Sequence, residues 1–554
     1  MHDLLLRAGM ELHRVRYWRP LERMAHRPDT AQQQLLRSLL LANRHTRFGI
    51  EHGFDGIANA SEFRDRVPVQ DYESLRPYID DQRRTGVQAL TAESPVFYAQ
   101  TSGSTGAPKY IPITPSGLEM HRAEQALFSY LQFRACPQAF AGKALGVMGA
   151  AVEGHLDTGH AVGSVSGHLY QSLPRSVLSR LVVPPAVASI AAYELKYLVI
   201  LRLALSQPRV TYMGTPNPST FLRLLDILNA RRDLLLQSLH TGKLDGFDGL
   251  DGAAREVVAA RLKADPARAA SLRNAAPLTF ANVWPGIRLV TTWTGGSCGI
   301  ALDALRRKLP PEATVMELGY QSSEFRGTIA LDAETPHGLP PLHHHFFEFV
   351  EQAKWDSGNA AFLTLDQLEA GRRYYILITT ASGLYRYFMN DLVEVSGFFH
   401  RTPLLRFIQK GKGVTSLTGE KLYEGQAIDA VLASTGTYGV SSSFFLLVAD
   451  EKVSAYQLLV ESDDGGRADT QGFVAAVDRR LGELNIEYHG KRMSGRLGPL
   501  TISWLKRGAA DAYKSACIRA GQREGQFKPA VLQYRKDLIL SFDDFLISPV
   551  ATHV

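Results

Sequence analysis

Thr101-Ser-Gly-Ser-Thr-Gly-Ala-Pro-Lys109 sets six small hydroxyl or glycine residues before Ala-Pro-Lys, between a strand-like run at 96–98 and the apolar Ile111-Pro-Ile113. Glycine lets a backbone turn sharply and approach a ligand closely, while hydroxyls and turn N–H groups donate to phosphate oxygens. A lysine at the end of such a loop offsets part of the phosphate charge. Ser102, Gly103, Ser104, Thr105, Gly106 and Lys109 therefore read as a nucleotide phosphate cradle. It is not a Walker A loop, which ends in Gly-Lys-Ser/Thr, because Lys109 follows Pro108 and precedes Tyr110. A flexible Gly/Ser surface loop has the same composition.

Other stretches carry related chemistry. Glu317-Leu-Gly-Tyr-Gln-Ser-Ser-Glu324 begins where the strand-like Thr314–Leu318 ends, and ligands of open α/β sheets sit beyond the carboxyl ends of strands. Hydroxyls beside a carboxylate suit a hard cation such as Mg²⁺, although a polar turn also fits. In Gly383-Leu-Tyr-Arg-Tyr-Phe-Met-Asn-Asp391, Asp391 can accept both hydrogen bonds of a ribose diol. Arg386 can meet phosphate or carboxylate oxygens bidentately; a structural Arg–Asp pair is the plainer alternative. Trp293-Thr-Gly-Gly-Ser297 puts Gly295 and Gly296 beside an aromatic residue, fitting the close approach of a flat ring such as adenine. The same stretch spells Gly-x-Ser-x-Gly, but no His-Gly-Gly-Gly oxyanion loop accompanies it, which argues against a serine hydrolase. His343-His-His345 looks like the start of a strand, with neighbouring rings on opposite faces and without carboxylate or cysteine ligands at metal spacing. Lys528, in Gly525-Gln-Phe-Lys-Pro529, is by itself an ordinary lysine near the chain end.

The elements that must position these groups alternate. Helical spacing covers residues 1–50, and a helix is expected from Ser116 to Phe133, directly after the glycine loop. Strand-like runs recur at Ala144–Met148, Val210–Met213, Leu289–Trp293, Thr314–Leu318 and Tyr374–Thr379. Helical stretches at Pro218–Asn229, Ala253–Lys263 and Ala301–Leu309 separate several of them. This predicts an α/β fold: a large N-terminal domain with covered sheets over 1–408, a hinge near 405–415, and a smaller mobile α+β domain over 409–554.

Composition narrows the function classes. The 61 basic and 55 acidic residues are spread along all 554 positions without a dense basic run, so nucleic-acid binding has little support. Three distant cysteines without a Cys-x-x-Cys pair argue against a disulfide framework and suit a reducing cytosol. Charge interrupts the apolar N-terminal run at once, and Arg202 interrupts the longest apolar stretch, so neither a signal peptide nor a membrane span is expected.

The order of the motifs resembles the adenylate-forming superfamily of acyl ligases, and within it the Gretchen Hagen 3 family of acyl acid amido synthetases. The likeness runs nearly end to end. It takes in Thr46-Arg-Phe-Gly49, Val67-Pro-Val-Gln-Asp-Tyr72, the loop at 101–109, Tyr320-Gln-Ser-Ser-Glu324, Gly383-Leu-Tyr-Arg386 with Asp391, Leu417-Thr-Gly-Glu-Lys421 and Gln526-Phe-Lys-Pro529. The Arg- and Ala-rich composition suggests a bacterial-type member.

The resemblance implies two half-reactions. A carboxylic acid attacks the α-phosphate of ATP to give an acyl-adenylate and pyrophosphate; an amine, usually of an amino acid, then displaces AMP. Carried over, Ser102 to Gly106 and Lys109 hold phosphates and Glu324 engages Mg²⁺. Tyr320, Gln321, Ser322 and Ser323 line the nucleotide pocket, Asp391 takes the ribose, Arg386 lies nearby, and Lys528 swings in during adenylation. Tyr193, Tyr212 and Met213 are placed at the acyl pocket by analogy of position only. A cytoplasmic monomer or weak oligomer acting on small molecules is expected, with an acyl-CoA ligase or a non-catalytic nucleotide-binding homologue as alternatives. Two positions depart from the family. The third motif reads Arg-Tyr-Phe-Met-Asn-Asp where plant members have Arg-Tyr-Arg-Val-Gly-Asp, and Lys410 stands at the hinge in place of the usual Arg.

Overall fold

Four parallel strands, Lys143–Gly146, Val210–Gly214, Leu289–Thr292 and Thr314–Glu317, lie side by side in chain order. The computed structural model describes residues 2–547 apart from 102–108, 276, 296–297, 357, 412, 416, 418–419, 421, 463–468, 494–496, 521, 523 and 525–526. All four residues of Leu289–Thr292 are buried, as expected for a strand covered on both faces. The chain forms two compact units. The larger takes Met1–Thr294 and Lys308–Phe407; the smaller takes Gly295–Arg307 and Ile408–Val554. The helix Gly299–Arg306, which follows the third parallel strand, thus groups with the smaller unit.

In the larger unit a hairpin carries the ends of the glycine loop. Phe97–Thr101 pairs antiparallel with Lys109–Ile113, with Thr101 opposite Lys109. Pro112 lacks a donor and is tolerated because its strand is at the edge of its sheet. Thr114 then starts the helix Pro115–Ala135: its hydroxyl accepts the Gly117 N–H at 3.1 Å, and Pro115 occupies the first turn. Leu127, Phe128 and Leu131 of this helix are buried, each contributing roughly 1.5–3 kcal/mol relative to exposure.

The same helix is clamped from its polar side. Buried Glu124 meets His344 Nδ1 at 3.1 Å and His345 Nε2 at 3.0 Å, with His121 Nδ1 3.3 Å away. Alternating faces were expected for the histidine triplet. Instead His344 and His345 reach the same carboxylate, because the strand begins only at His345 and His344 still belongs to the preceding turn. Burial works to raise the Glu124 pKa, but the three imidazoles outweigh it and hold the carboxyl well below its usual range.

The larger unit also holds a seven-stranded sheet. Within it His345–Glu351 pairs antiparallel with Arg373–Thr380, which pairs antiparallel with Tyr387–Phe399. Alternation of strands and helices did not announce this sheet, since its strands follow one another without intervening long helices. Arg386 sits at its corner with φ +43°, 3% exposed. Its Nε donates to Glu348 at 3.0 Å and its Nη1 to the carbonyl of Val67 at 2.7 Å. Glu348 also takes Arg64 at 2.9 Å. Through Nε and Nη1 the guanidinium thus holds the corner, while its Nη2 has no hydrogen-bond partner among the described residues.

The smaller unit centres on the antiparallel pair Phe444–Asp450 and Ala455–Glu461, flanked in parallel by Leu532–Tyr534 and Thr501–Leu505. Helices Glu424–Tyr438 and Thr470–Leu484 contribute Val431, Phe473, Val477 and Leu481 to its core. Among the described residues no helix is long and apolar enough to cross a membrane.

Two predictions follow from these buried charges. Arg386→Ala leaves the Glu348 carboxylate buried with Arg64 alone and is expected to cost about 3 kcal/mol of stability, read as a lower urea midpoint for the larger unit. An unchanged midpoint would contradict that structural role. Burial, with His344 second, pushes the His343 pKa down to about 3. Below the ordinary histidine value of about 6.5 the unfolded chain binds a proton that the folded chain refuses, so stability falls with pH in that window. His343→Gln should flatten the decline in melting temperature between about pH 7 and about pH 5; an identical slope would contradict the assignment.

Candidate functional site

Beyond the carboxyl end of Thr314–Glu317 the chain turns at Gly319, whose φ is +94° and where a Cβ would lie 2.4 Å from the Thr328 carbonyl oxygen. Only glycine fits there. The turn delivers Tyr320, whose backbone N–H donates to Thr328 Oγ1 at 2.9 Å. Gly327 makes room for the ring, since a Cβ there would meet Tyr320 Cδ1 at 2.3 Å. Phe407 stacks on the ring at 5.3 Å and Phe325 meets its edge at 5.2 Å.

So fixed, the Tyr320 hydroxyl donates to Asp391 Oδ2 at 2.6 Å. The second and third motifs, far apart in sequence, therefore share one buried hydrogen bond. Burial, then the charges of Asp391 and Glu324, push the Tyr320 pKa well above its ordinary value, so the phenol remains a donor. Asp391 is 2% exposed. Its backbone approach depends on Asn390, which has φ +52°. Asparagine is among the few non-glycine residues that adopt this left-handed conformation readily, so it meets the backbone requirement at the position where plant members have glycine. Phe388, at the position of their second arginine, stacks on Trp355 at 4.4 Å.

The rest of the second motif is ordered by its own turn. Ser322 donates its N–H to the Phe325 carbonyl at 2.9 Å, and the Glu324 N–H approaches Ser322 Oγ at 3.3 Å. Ser323 is buried, and the amide oxygen of Gln321 accepts from Arg326 at 2.8 Å. Glu324 is half-buried and its carboxylate accepts no hydrogen bond among the described residues. Its charge and that of Asp391 both act on Tyr387, whose pKa is raised first by burial and then by Glu324, Asp71, Tyr72 and Asp391.

Tyr387 also links this region to the glycine loop. Gln70 bridges to Tyr387, and two residues later Tyr72 accepts the Tyr110 N–H at 2.7 Å. The Lys109 ammonium lies 5.5 Å from the centre of the Tyr72 ring. Lys109, Glu324, Tyr320 and Asp391 thus belong to one neighbourhood of the larger unit, connected through residues 70–72. The sequence reading gave no role to Tyr72 or Tyr387, although both lie within quoted motifs. Ser102, Gly103, Ser104, Thr105 and Gly106 lie outside the described residues.

The Trp293 stretch abuts the second motif. Trp293 Nε1 donates to the Gly319 carbonyl at 3.2 Å, and Glu317 accepts the Thr294 N–H at 2.7 Å and the Gly319 N–H at 3.0 Å. Gly295 follows in a bend; Gly296 lies outside the described residues. Of the three acyl-pocket candidates, Tyr212 accepts from Gln132 at 3.0 Å, and Gln132 also donates to Thr291 at 2.9 Å. Met213 is fully buried within the parallel sheet, and Tyr193 opens the helix Tyr193–Leu205. In the smaller unit Lys528 is half-buried, directly after the buried Phe527.

A hard cation fits the second motif. The Glu324 carboxylate accepts no hydrogen bond among the described residues, Ser322 lies two residues before it, and Mg²⁺ commonly uses one or two carboxylates plus phosphate and water. Among the described residues no group of three or more His, Cys, Asp or Glu is placed to hold a metal ion.

Comparison with known proteins bears on the whole chain. Three family models match in order: the GH3 family N-terminal domain over 18–313, the central domain over 339–410 and the C-terminal domain over 426–536. The indole-3-acetic acid-amido synthetase GH3.8 of Oryza sativa subsp. indica is 25% identical, over 92% of this chain and 89% of its own length. GH3.15 of Arabidopsis thaliana, named likewise, is 24% identical over 92% and 91%. The solved structure of the GH3.15 acyl acid amido synthetase superposes with TM-score 0.85 over 95% of both chains at 22% identity. A 2-hydroxyisobutyryl-CoA ligase in its postadenylation state shares the fold more distantly, with TM-score 0.57 at 13% identity over 92% of this chain and 90% of its own. With the Tyr320–Asp391 bond joining the two motifs and the family models spanning most of its length, this chain belongs to the GH3 family.

Proposed function

We infer that the chain is an ATP-dependent, AMP-forming amido synthetase that activates a small carboxylic acid as its acyl-adenylate and transfers the acyl group to an amine, an amino acid by preference. The observation that carries this reading is the Tyr320–Asp391 hydrogen bond. It supports a nucleotide site shared by the two motifs at the carboxyl edge of a parallel sheet, where such ligands bind.

A carboxylate is a poor electrophile, so it needs a good leaving group before an amine can attack it. Attack by the acid oxygen on the α-phosphorus of ATP forms the P–O bond of the mixed anhydride and releases pyrophosphate. Attack by the amine nitrogen on the acyl carbon then forms the amide and releases AMP. In this reading the loop at 102–106 donates to phosphate oxygens and Lys109 offsets their charge. Tyr320, Gln321, Ser322 and Ser323 line the nucleotide pocket, with Gly295 and Gly296 beside the base. Asp391, its Oδ2 already taking Tyr320, offers its remaining lone pairs to the ribose hydroxyls. Glu324 and Ser322 would hold Mg²⁺, which when bound neutralises charge building on the phosphates. Lys528, from the smaller unit, stabilises charge during adenylation. The reading includes a cytosolic enzyme acting alone or as a weak oligomer.

Which acid is used is an experimental question, and the substrates named for the plant relatives are theirs. The acyl-CoA ligase in the same fold keeps a thiol acceptor in view. ATP–pyrophosphate exchange over a panel of carboxylic acids, followed by competition of amino acids against CoA as acceptors, separates the two. Lys109→Ala and Glu324→Ala should each lower exchange by at least about tenfold, equivalent to roughly 1.4 kcal/mol of barrier lowering. Near-normal exchange in both variants would refute the site, and a CoA thioester as sole product would refute the amide reading.

A further inference from the structure

The lysine assigned to adenylation stands on a segment held at both ends. Upstream, Phe527 is 5% exposed and meets the ring of Tyr513 edge-on at 6.3 Å. Downstream, the buried Val531 presents its carbonyl to the Leu447 N–H at 2.7 Å, fixing the segment to the central strand of the smaller unit. The Val531 N–H has a different partner: it donates to Glu424 Oε1 at 2.6 Å, and the Leu532 N–H serves the same carboxylate. Glu424 is the first residue of the helix Glu424–Tyr438. Its own N–H donates to the Gly413 carbonyl at 2.7 Å, closing the short antiparallel pair of Val414–Thr415 with Leu422–Tyr423. One residue therefore joins the beginning of the smaller unit's chain to the segment that carries Lys528.

We propose that Glu424 is a positioning residue for Lys528, its carboxylate setting the height of the lysine segment against the 413–424 hairpin. The proposal rests on the adenylation role given to Lys528 above. Glu424 acts through backbone N–H groups and touches neither substrate nor reacting atoms. Its own side chain has the chemistry of a graded clamp. A charged acceptor makes shorter and stronger hydrogen bonds to N–H donors than a neutral one. Burial raises the Glu424 pKa to about 7, against the backbone donors and the positive charge of Lys528. Among the described residues, the titratable groups that interact with it are that lysine and, on the helix Ala509–Arg519, Tyr513, whose pKa burial raises above the phenol's ordinary value, with Cys517 beside it pushed up to about 11. Neither Tyr513 nor Cys517 changes charge near neutrality, which leaves Glu424 as the titrating member. The clamp tightens as pH rises through neutrality.

The test compares the two half-reactions in the full-length protein. For adenylation, read as ATP–pyrophosphate exchange with an acid that wild type accepts, the ratio of wild type to Glu424→Gln should be close to one near pH 6. It should climb about threefold by about pH 8, the scale of one charge-strengthened hydrogen bond. For aminolysis of a supplied acyl-adenylate the same ratio should stay flat. Glu424→Ala, which removes the acceptor, should lower exchange about tenfold while leaving aminolysis within about twofold. Equal losses in both half-reactions, or a flat exchange ratio with Lys528→Ala still impaired, would make Glu424 merely structural and overturn the proposal alone. Normal exchange by Lys528→Ala would instead remove the parent reading and this proposal with it.

Discussion

A phenol donating to a carboxylate across 2.6 Å ties together two segments that are seventy-one residues apart, and much of the larger unit is arranged to make that contact. A buried carboxylate is costly unless it is hydrogen-bonded, so Asp391 needs a donor in place before any ligand arrives. Tyr320 supplies it only because Gly319 accepts a left-handed turn, Gly327 leaves room for the ring and Phe407 covers its face. From the other side, Asn390 bends the chain with a positive φ so that Asp391 faces the phenol. Each of these devices is local, and together they define one distance.

The two acidic residues of the site are placed in different environments, which separates what they can do. Asp391 is buried and already hydrogen-bonded, the condition of a carboxylate that orients hydroxyls. Glu324 is half-buried and accepts no hydrogen bond among the described residues, the condition of a carboxylate that can take a hydrated cation. Arg386 shows the converse. Its position within a motif suggested contact with phosphate; in the fold its Nε is taken by Glu348 and its Nη1 by two backbone carbonyls, while Nη2 has no hydrogen-bond partner among the described residues. A cation inside a motif is available to a ligand only when the fold has not already neutralised it.

Much of this was legible in the sequence because it depends on backbone geometry and charge. The parallel strands and the helix after the glycine loop lie within a few residues of their periodic patterns. The seven-stranded sheet was not legible as such, since antiparallel pairing over many residues leaves no sign of which strands are neighbours. The histidine triplet was misread for a related reason: strand alternation applies only after the strand begins, and that boundary falls at His345. Tyr72 and Tyr387 gain their place through a bridge between Gln70 and Tyr387. Neither sequence distance nor composition could signal it.

The acyl pocket resisted reading for a deeper physical reason. The charges that develop on phosphate during adenylation are the same for every acid, so the residues that meet them are restricted in type and spacing. An acid's remaining surface is met by packing, where one methylene changes discrimination by only about 1–3 kcal/mol and many combinations of side chains fill a given volume. Tyr212, a candidate by position only, shows how such packing is networked. Its hydroxyl accepts from Gln132 of the helix that follows the glycine loop, and the same amide donates to Thr291 within the third parallel strand. Such a network can shift with any of its members while the glycine loop and the Tyr320–Asp391 pair stay as they are. An overall identity of 25% to a plant relative is therefore compatible with common activation chemistry and with a different acid.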